Sequence, residues 1–151
     1  MAKFVFPFTK RRTRDGTVFE EPKIPVTFNG PDGRFFDTLA ILDTGSTISH
    51  LPLAVAEALG FSKESAKTAT SRGIGGEEQM AEFEVGLKIS RKNQTTKTLR
   101  LPIPVFLNPD VDYCSLGLCP LFEMFDVSFR MADGKIEMKE RRTARMETGE
   151  R

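Results

Sequence analysis

Tryptophan is absent from the chain, tyrosine and histidine occur once each, and cysteine occurs twice. Each scarcity removes a class of function. With no Trp and one Tyr there is no evident aromatic platform for stacking nucleotide bases, although thirteen Phe supply material for a core. An excess of one charge is missing too: 22 basic side chains stand against 21 acidic ones. A net charge of +1 gives no whole-molecule field to draw the protein to phosphate or to an anionic membrane. No apolar run approaches the roughly 20 residues needed to span a bilayer. The first residues, MAKFVFPFTKRR, hold an apolar patch shorter than a secretory h-region, interrupted by Pro7 and without a small-residue cleavage site. These absences point to a soluble, cytoplasmic protein with neither nucleic acid nor membrane as partner. Cys114 and Cys119, in CSLGLC, are too few for a disulfide framework and are not spaced as a zinc half-site. Both read as reduced thiols, and neither a metal nor a cofactor is expected.

A chain of 151 residues has room for one compact domain, which buries about 68–70% of the surface its unfolded form exposes. There is no internal repeat, so the chain does not hold two similar lobes. Phe4, Phe6 and Phe8 alternate with Val5 and Pro7, predicting a strand that the proline confines to an edge or an end. The basic cluster Lys10, Arg11, Arg12 and Arg14 then reads as a solvated loop around a DGT turn. IPVTFNGPDGRFFDTLAILDTG reads as two strands about a turn at Asn29 to Gly33, the second arm ending at Asp43. Leu51, Val55 and Leu59 at steps of four predict a short helix, with Ser49 as its N-cap and Gly60 as its stop. Alternation at Phe83, Val85, Leu87 and Ile89, and again from Leu99 to Leu107, predicts two strands flanking the polar turn SRKNQTTK. Pro120 opens a helical turn in PLFEMFDV, and Asp133-Gly134 joins two closing strands. The pattern is mainly β, fitting a small, partly closed barrel with one short helix and a C-terminal helical turn.

An isolated Asp-Thr-Gly is most often a turn whose carboxylate caps its own loop. Here Leu39, Ala40, Ile41 and Leu42 approach Asp43 as a continuous apolar run, which predicts a strand buried on both faces. Asp43 then emerges at the end of the core. Gly45 lets the backbone turn close to whatever the carboxylate contacts, and Thr44 and Ser46 bring hydroxyls able to fix its orientation. His50 has no nucleophile or second base tied to it by the sequence and reads as a hydrogen-bonded residue at the start of the helix.

ILDTGST resembles the active-site signature of the aspartic proteases, and LPLAVAEALGF after it continues as the retroviral-like members do. RGIGGEE resembles their glycine-rich flap, and SLGLCPLFEMFDVSF their later apolar-apolar-Gly element with its short helix and strand. The match runs from residue 24 to 139. It leaves residues 1–23 as an N-terminal strand and basic loop, and 140–151 as a polar tail expected to be disordered. The resemblance implies a retropepsin-like fold of the acid protease type and hydrolysis of polypeptides by paired carboxylates. With one Asp-Thr-Gly per chain it implies a homodimer, each subunit supplying one Asp43. Thr44 would reach across to the other subunit's backbone, Ser46 would hydrogen-bond its own carboxylate, and Gly73, Ile74, Gly75 and Gly76 would close over substrate. Leu118 and Cys119 depart from the pattern, standing where many members carry a polar or basic residue and then Asp or Asn. Cys119 reads as a small buried hydrophobe. A competing reading keeps the fold as a noncatalytic dimerisation or peptide-binding module. The alternative for Gly73, Gly75 and Gly76 is a simple tight turn between strands.

Overall fold

The computed structural model describes residues 3–62, 64, 66–73 and 75–141. In chain order the strands are β1 (Lys3–Pro7), β2 (Thr9–Arg12), β3 (Val18–Glu21), β4 (Lys23–Asn29), β5 (Phe35–Leu42) and β6 (Leu51–Pro52). Helix α1 (Leu53–Ala58) is followed by β7 (Lys67–Gly73), β8 (Gly76–Arg91), β9 (Gln94–Thr95), β10 (Leu99–Phe106) and β11 (Cys114–Leu116). Helix α2 (Leu121–Met124), β12 (Phe125–Arg130) and β13 (Lys135–Glu140) complete the described chain. The class is mainly β, as the alternating patterns predict.

Eight strands form one sheet in the order β11-β5-β4-β8-β10-β6, with β7 and β9 also paired to β8. β11 lies parallel to β5 and β6 parallel to β10, while β4, β5, β8 and β10 pair antiparallel where they meet. The sheet does not close into a barrel. β6 and β11 share no ladder; an isolated bridge between His50 and Ser115 joins that region, with His50 N–H donating to Ser115 O at 2.9 Å and Ser115 N–H to His50 O at 3.1 Å. The inner face is apolar: Ile24, Val26 and Phe28 of β4 meet Val85, Leu87 and Ile89 of β8 and Leu101, Ile103 and Val105 of β10 in one cluster. β8 runs well beyond the 83–89 alternation, because its first residues pair with β7 on an exposed hairpin where polar residues suffice, before Met80 and Ala81 enter the core. At the β4–β5 turn a Cβ on Gly30 would stand 2.1 Å from Leu59 O, so only glycine lets the hairpin pass this close to the end of α1.

A second sheet, β1-β13-β12, carries the N-terminal phenylalanines. β1 lies at its edge with Pro7 as its last residue, as the proline requires. Phe4 pairs with Met138 and Phe6 with Ile136, all four buried, and the Phe4 ring meets Phe125 edge-on at 6.2 Å. The basic segment is not a loop: β2 and β3 form a separate hairpin through a turn in which Gly16 adopts φ 87° and Asp15 Oδ1 accepts from Thr17 N at 3.1 Å. The β-favouring Thr17, Val18 and Phe19 after Asp15-Gly16 decide this against the charge. Nor is Ser49 a helix cap. α1 begins four residues later, behind an extended Pro52 with no side-chain cap, while Gly60 stops it as predicted with φ 88°. Of the expected tail, Glu140 ends β13 and Arg141 donates to Met124 O at 2.8 Å; residues 142–151 lie outside the described residues.

Phe4 joins the two ends of the chain through one buried ring. Phe4→Ala lowers the unfolding free energy by about 3–5 kcal/mol, read from denaturant melts. A loss under about 1 kcal/mol would mean that the β1 contact contributes little.

Candidate active site

β5 delivers Asp43. Ala40 and Leu42 point into the core, whereas Leu39 is 49% exposed and Ile41 is only half-buried. The strand is therefore buried on one face, not both, since a period of two turns every second apolar side chain away from the core. A hollow of about 410 Å³ lies on that outer side, bounded by Pro25, Asp37, Leu39 and Ser90 among others, and none of its lining residues belongs to the Asp43 loop.

The loop itself is held by backbone. Leu42 N–H donates to Pro22 O at 2.8 Å and Asp43 N–H to Leu116 O at 3.0 Å, which fixes the aspartate against β11. Ser46 N–H closes the turn on Asp43 O at 3.3 Å. Gly45 N–H donates to the Asp43 carboxylate at 2.9 Å, and a Cβ at Gly45 would stand 3.2 Å from that same oxygen. The carboxylate is thus oriented from one side and exposed on the other. Ser46 does not share in this. Its hydroxyl donates to Ile48 O at 2.8 Å, because the turn carries it toward its own chain and leaves the carboxylate to Gly45. Thr44 is exposed and makes no side-chain hydrogen bond among the described residues.

Behind the turn, residues 46–49 interlock with residues 117–119. Leu118 N–H donates to Ser46 O at 2.8 Å and Cys119 N–H to Thr47 O at 2.9 Å. Ser49 Oγ donates to Cys119 O at 2.9 Å and accepts from Gly117 N at 3.0 Å. At Gly117 a Cβ would fall 2.3 Å from Ile48 O and 2.5 Å from Ser46 O, so the two backbones cross where no side chain fits. Ser49 and Gly117 are the supports that residue patterns alone miss. The signal was Gly117 between two leucines, in a segment otherwise suited to a strand. Cys119 is exposed, not buried: with both its backbone groups taken by this interlock, its side chain faces outward beside Leu118, itself 43% exposed.

His50 does not start the helix. It sits in the bridge to Ser115, buried, with Phe106 and Tyr113 edge-on at 4.6 and 4.9 Å. Its Nε2 is buried without a hydrogen-bond partner among the described residues. Burial lowers its pKa from 6.5 to about 4, against a hydrogen bond with the Tyr113 backbone and the charge of Asp43, which favour the cation. Cys114 is likewise buried, and its thiol is pushed up to about 11 by burial, partly offset by a hydrogen bond with Thr38.

The glycine-rich segment forms the tip of the β7–β8 hairpin. Gly73 pairs with Gly76, Gly75 lies in the turn, Gly76 adopts φ 108°, and Ile74 lies outside the described residues. Arg72 and Glu77 pair across the tip at 2.8 Å, both exposed. No hydrogen bond or ion pair ties this tip to the Asp43 loop among the described residues. Nor, among them, do three His, Cys, Asp or Glu side chains group to hold a metal, and no helix is long and apolar enough to cross a membrane.

The sequence model of a family described as Aspartyl protease matches residues 24–103. Among solved structures the fold is similar to that of the EIAV protease complexed with the inhibitor HBY-793, at 21% identity and TM-score 0.51, covering 68% of this chain and 86% of that one. It is also similar to a retropepsin-like aspartic protease from Rickettsia conorii, at 17% identity and TM-score 0.55, covering 91% of this chain and 90% of that one. No curated protein matches the chain.

Because His50 titrates at about 4 when folded and near 6.5 when unfolded, the unfolded chain takes up a proton first as pH falls. Stability is therefore lost through that window from the upper value downward. His50→Gln removes this share of the slope. Unfolding free energies of the two proteins, compared across the window, diverge; parallel profiles would show that His50 ionises freely in the fold.

Proposed function

This chain belongs to the aspartyl protease family and has a retropepsin-like fold, and from that premise we propose that it is an endopeptidase working as a two-fold dimer. The observation that carries the proposal is the single Asp43 carboxylate, oriented by Gly45 N–H on one side and open on the other. Within this chain no second carboxylate is hydrogen-bonded to it among the described residues. One such group is half of an acid and base pair.

Peptide hydrolysis without a covalent intermediate needs one ionised carboxylate to take a proton from water while a protonated carboxyl donates to the scissile carbonyl oxygen. Two carboxyls about 3 Å apart cannot both ionise and so share a proton, the arrangement familiar from aspartic proteases as a class. Here each subunit contributes Asp43. Water adds to the carbonyl carbon and its proton passes to the ionised Asp43. The resulting diol collapses as the amide nitrogen takes a proton and the C–N bond breaks, restoring the shared proton. Thr44, with its hydroxyl uncommitted among the described residues, reaches the other subunit's backbone and holds the two loops face to face. The hairpin tip at Gly73, Ile74, Gly75 and Gly76 closes over an extended polypeptide, pairing with its backbone and excluding water. Its glycines allow the opening that product release requires. A cytoplasmic setting agrees with the buried, reduced Cys114.

Asp43→Asn stays folded and dimeric but loses turnover on an unstructured polypeptide by roughly 10²–10⁴. The wild-type rate follows a bell-shaped pH profile that reports the coupled pair, and a statine-type transition-state mimic inhibits it. Unchanged cleavage by Asp43→Asn would remove Asp43 from the mechanism. No cleavage of any peptide library by the wild type would leave a binding module.

A further inference from the structure

The β2–β3 hairpin has no evident role within its own chain. Among the described residues its hydrogen bonds and ion pairs run within itself or to Lys23 beside its base. A lone two-stranded hairpin is marginal in water without a third strand or a packed face. This one leaves Val18 46% and Phe19 47% exposed.

Its position is informative. The hairpin closes where Thr9 pairs with Glu21, and the next residue, Pro22, accepts the Leu42 N–H directly before Asp43. Any second copy that brings its own Asp43 to this one must approach the same rim. The register also sorts the side chains into two faces. On one, Arg11 pairs with Glu21 and lies 5.5 Å over the Phe19 ring, so its charges are satisfied internally. The other carries Lys10, Arg12, Val18 and Glu20, a basic strand beside an acidic one. None of its three charged groups is in an ion pair among the described residues.

We propose that this hairpin is a dimerisation arm that packs against the arm of a second copy of the chain, an inference that rests on the two-Asp43 reading and specifies what holds that dimer together. A two-fold axis running along the strands sets β2 of each copy over β3 of the other. Lys10 then meets Glu20 of the partner subunit, and the aliphatic stem of Arg12 covers Val18 of the partner subunit. The contact is isologous and self-complementary, so Lys10 and Glu20 of each copy gain an opposite neighbour and the exposed valine is covered.

Two variants of the full chain test it by sedimentation equilibrium. Val18→Lys places a like charge against Arg12 of the partner subunit. In the second, residues 10–20 are excised and Thr9 is joined to Glu21 through Asn-Gly, a link suited to closing paired strands. Both variants raise the dimer dissociation constant by about tenfold or more, and cleavage returns as protein concentration rises. A dissociation constant within about twofold of wild type in both, while Asp43→Asn still abolishes cleavage, overturns the arm and leaves the two-Asp43 reading intact. The same holds if the variants alter only the KM for substrate. A wild type that cleaves as a strict monomer overturns both.

Discussion

Everything at Asp43 depends on one close approach of backbone to backbone. Residues 46–49 and 117–119 cross with no side chain between them at Gly117, and the crossing is sealed by Ser49, which donates to one strand and accepts from it two residues away. Neighbouring main-chain bonds then tie Asp43 N–H to Leu116 O. These are buried, largely neutral hydrogen bonds, each modest in net worth but costly to leave unmade. Rigidity follows from that asymmetry. An exposed carboxylate on an irregular turn would otherwise sample many orientations, and acid–base chemistry requires one.

What the residues disclose in advance follows from how many constraints act on each. The hairpin at Asn29 to Gly33, the strands of the core and the stop at Gly60 were legible because local conformation and burial agree there. The half-buried state of β5 was not, since four consecutive apolar residues look alike whether one face or both are covered, and what covers Leu39 and Ile41 is a tertiary fact. Ser49 was misread for a related reason: a hydroxyl just upstream of a helical pattern suits a cap, but its partners lie about 70 residues further along the chain. The β2–β3 hairpin was hidden by its charge, which says where side chains are solvated and nothing about whether the backbone between them pairs. Cys119 reversed its expected burial because its main chain is bound into the interlock with residues 47–49 at an exposed position.

Asp43 itself was the most legible feature, and under the proposed two-subunit reading its chemistry is only half written in the chain. Gly45 orients one oxygen, and Thr44 is left uncommitted. The open sheet, bridged at His50 and Ser115 instead of being closed by a ladder, presents that carboxylate at a rim and not in an enclosed cleft. A family fold, a lone acid and an open rim are mutually consistent if completion comes from outside the subunit.

The pairing of β1 with β13 has a consequence for how the protein comes into being. Phe4 and Phe6 precede Met138 and Ile136, which cover them, by more than a hundred positions in the chain. Throughout synthesis the nascent chain must carry these two rings uncovered, so the second sheet forms only once translation has passed nearly the whole domain. Such late closure leaves aromatic surface exposed on the growing chain for as long as β13 is missing, the condition under which nascent chains are most prone to associate.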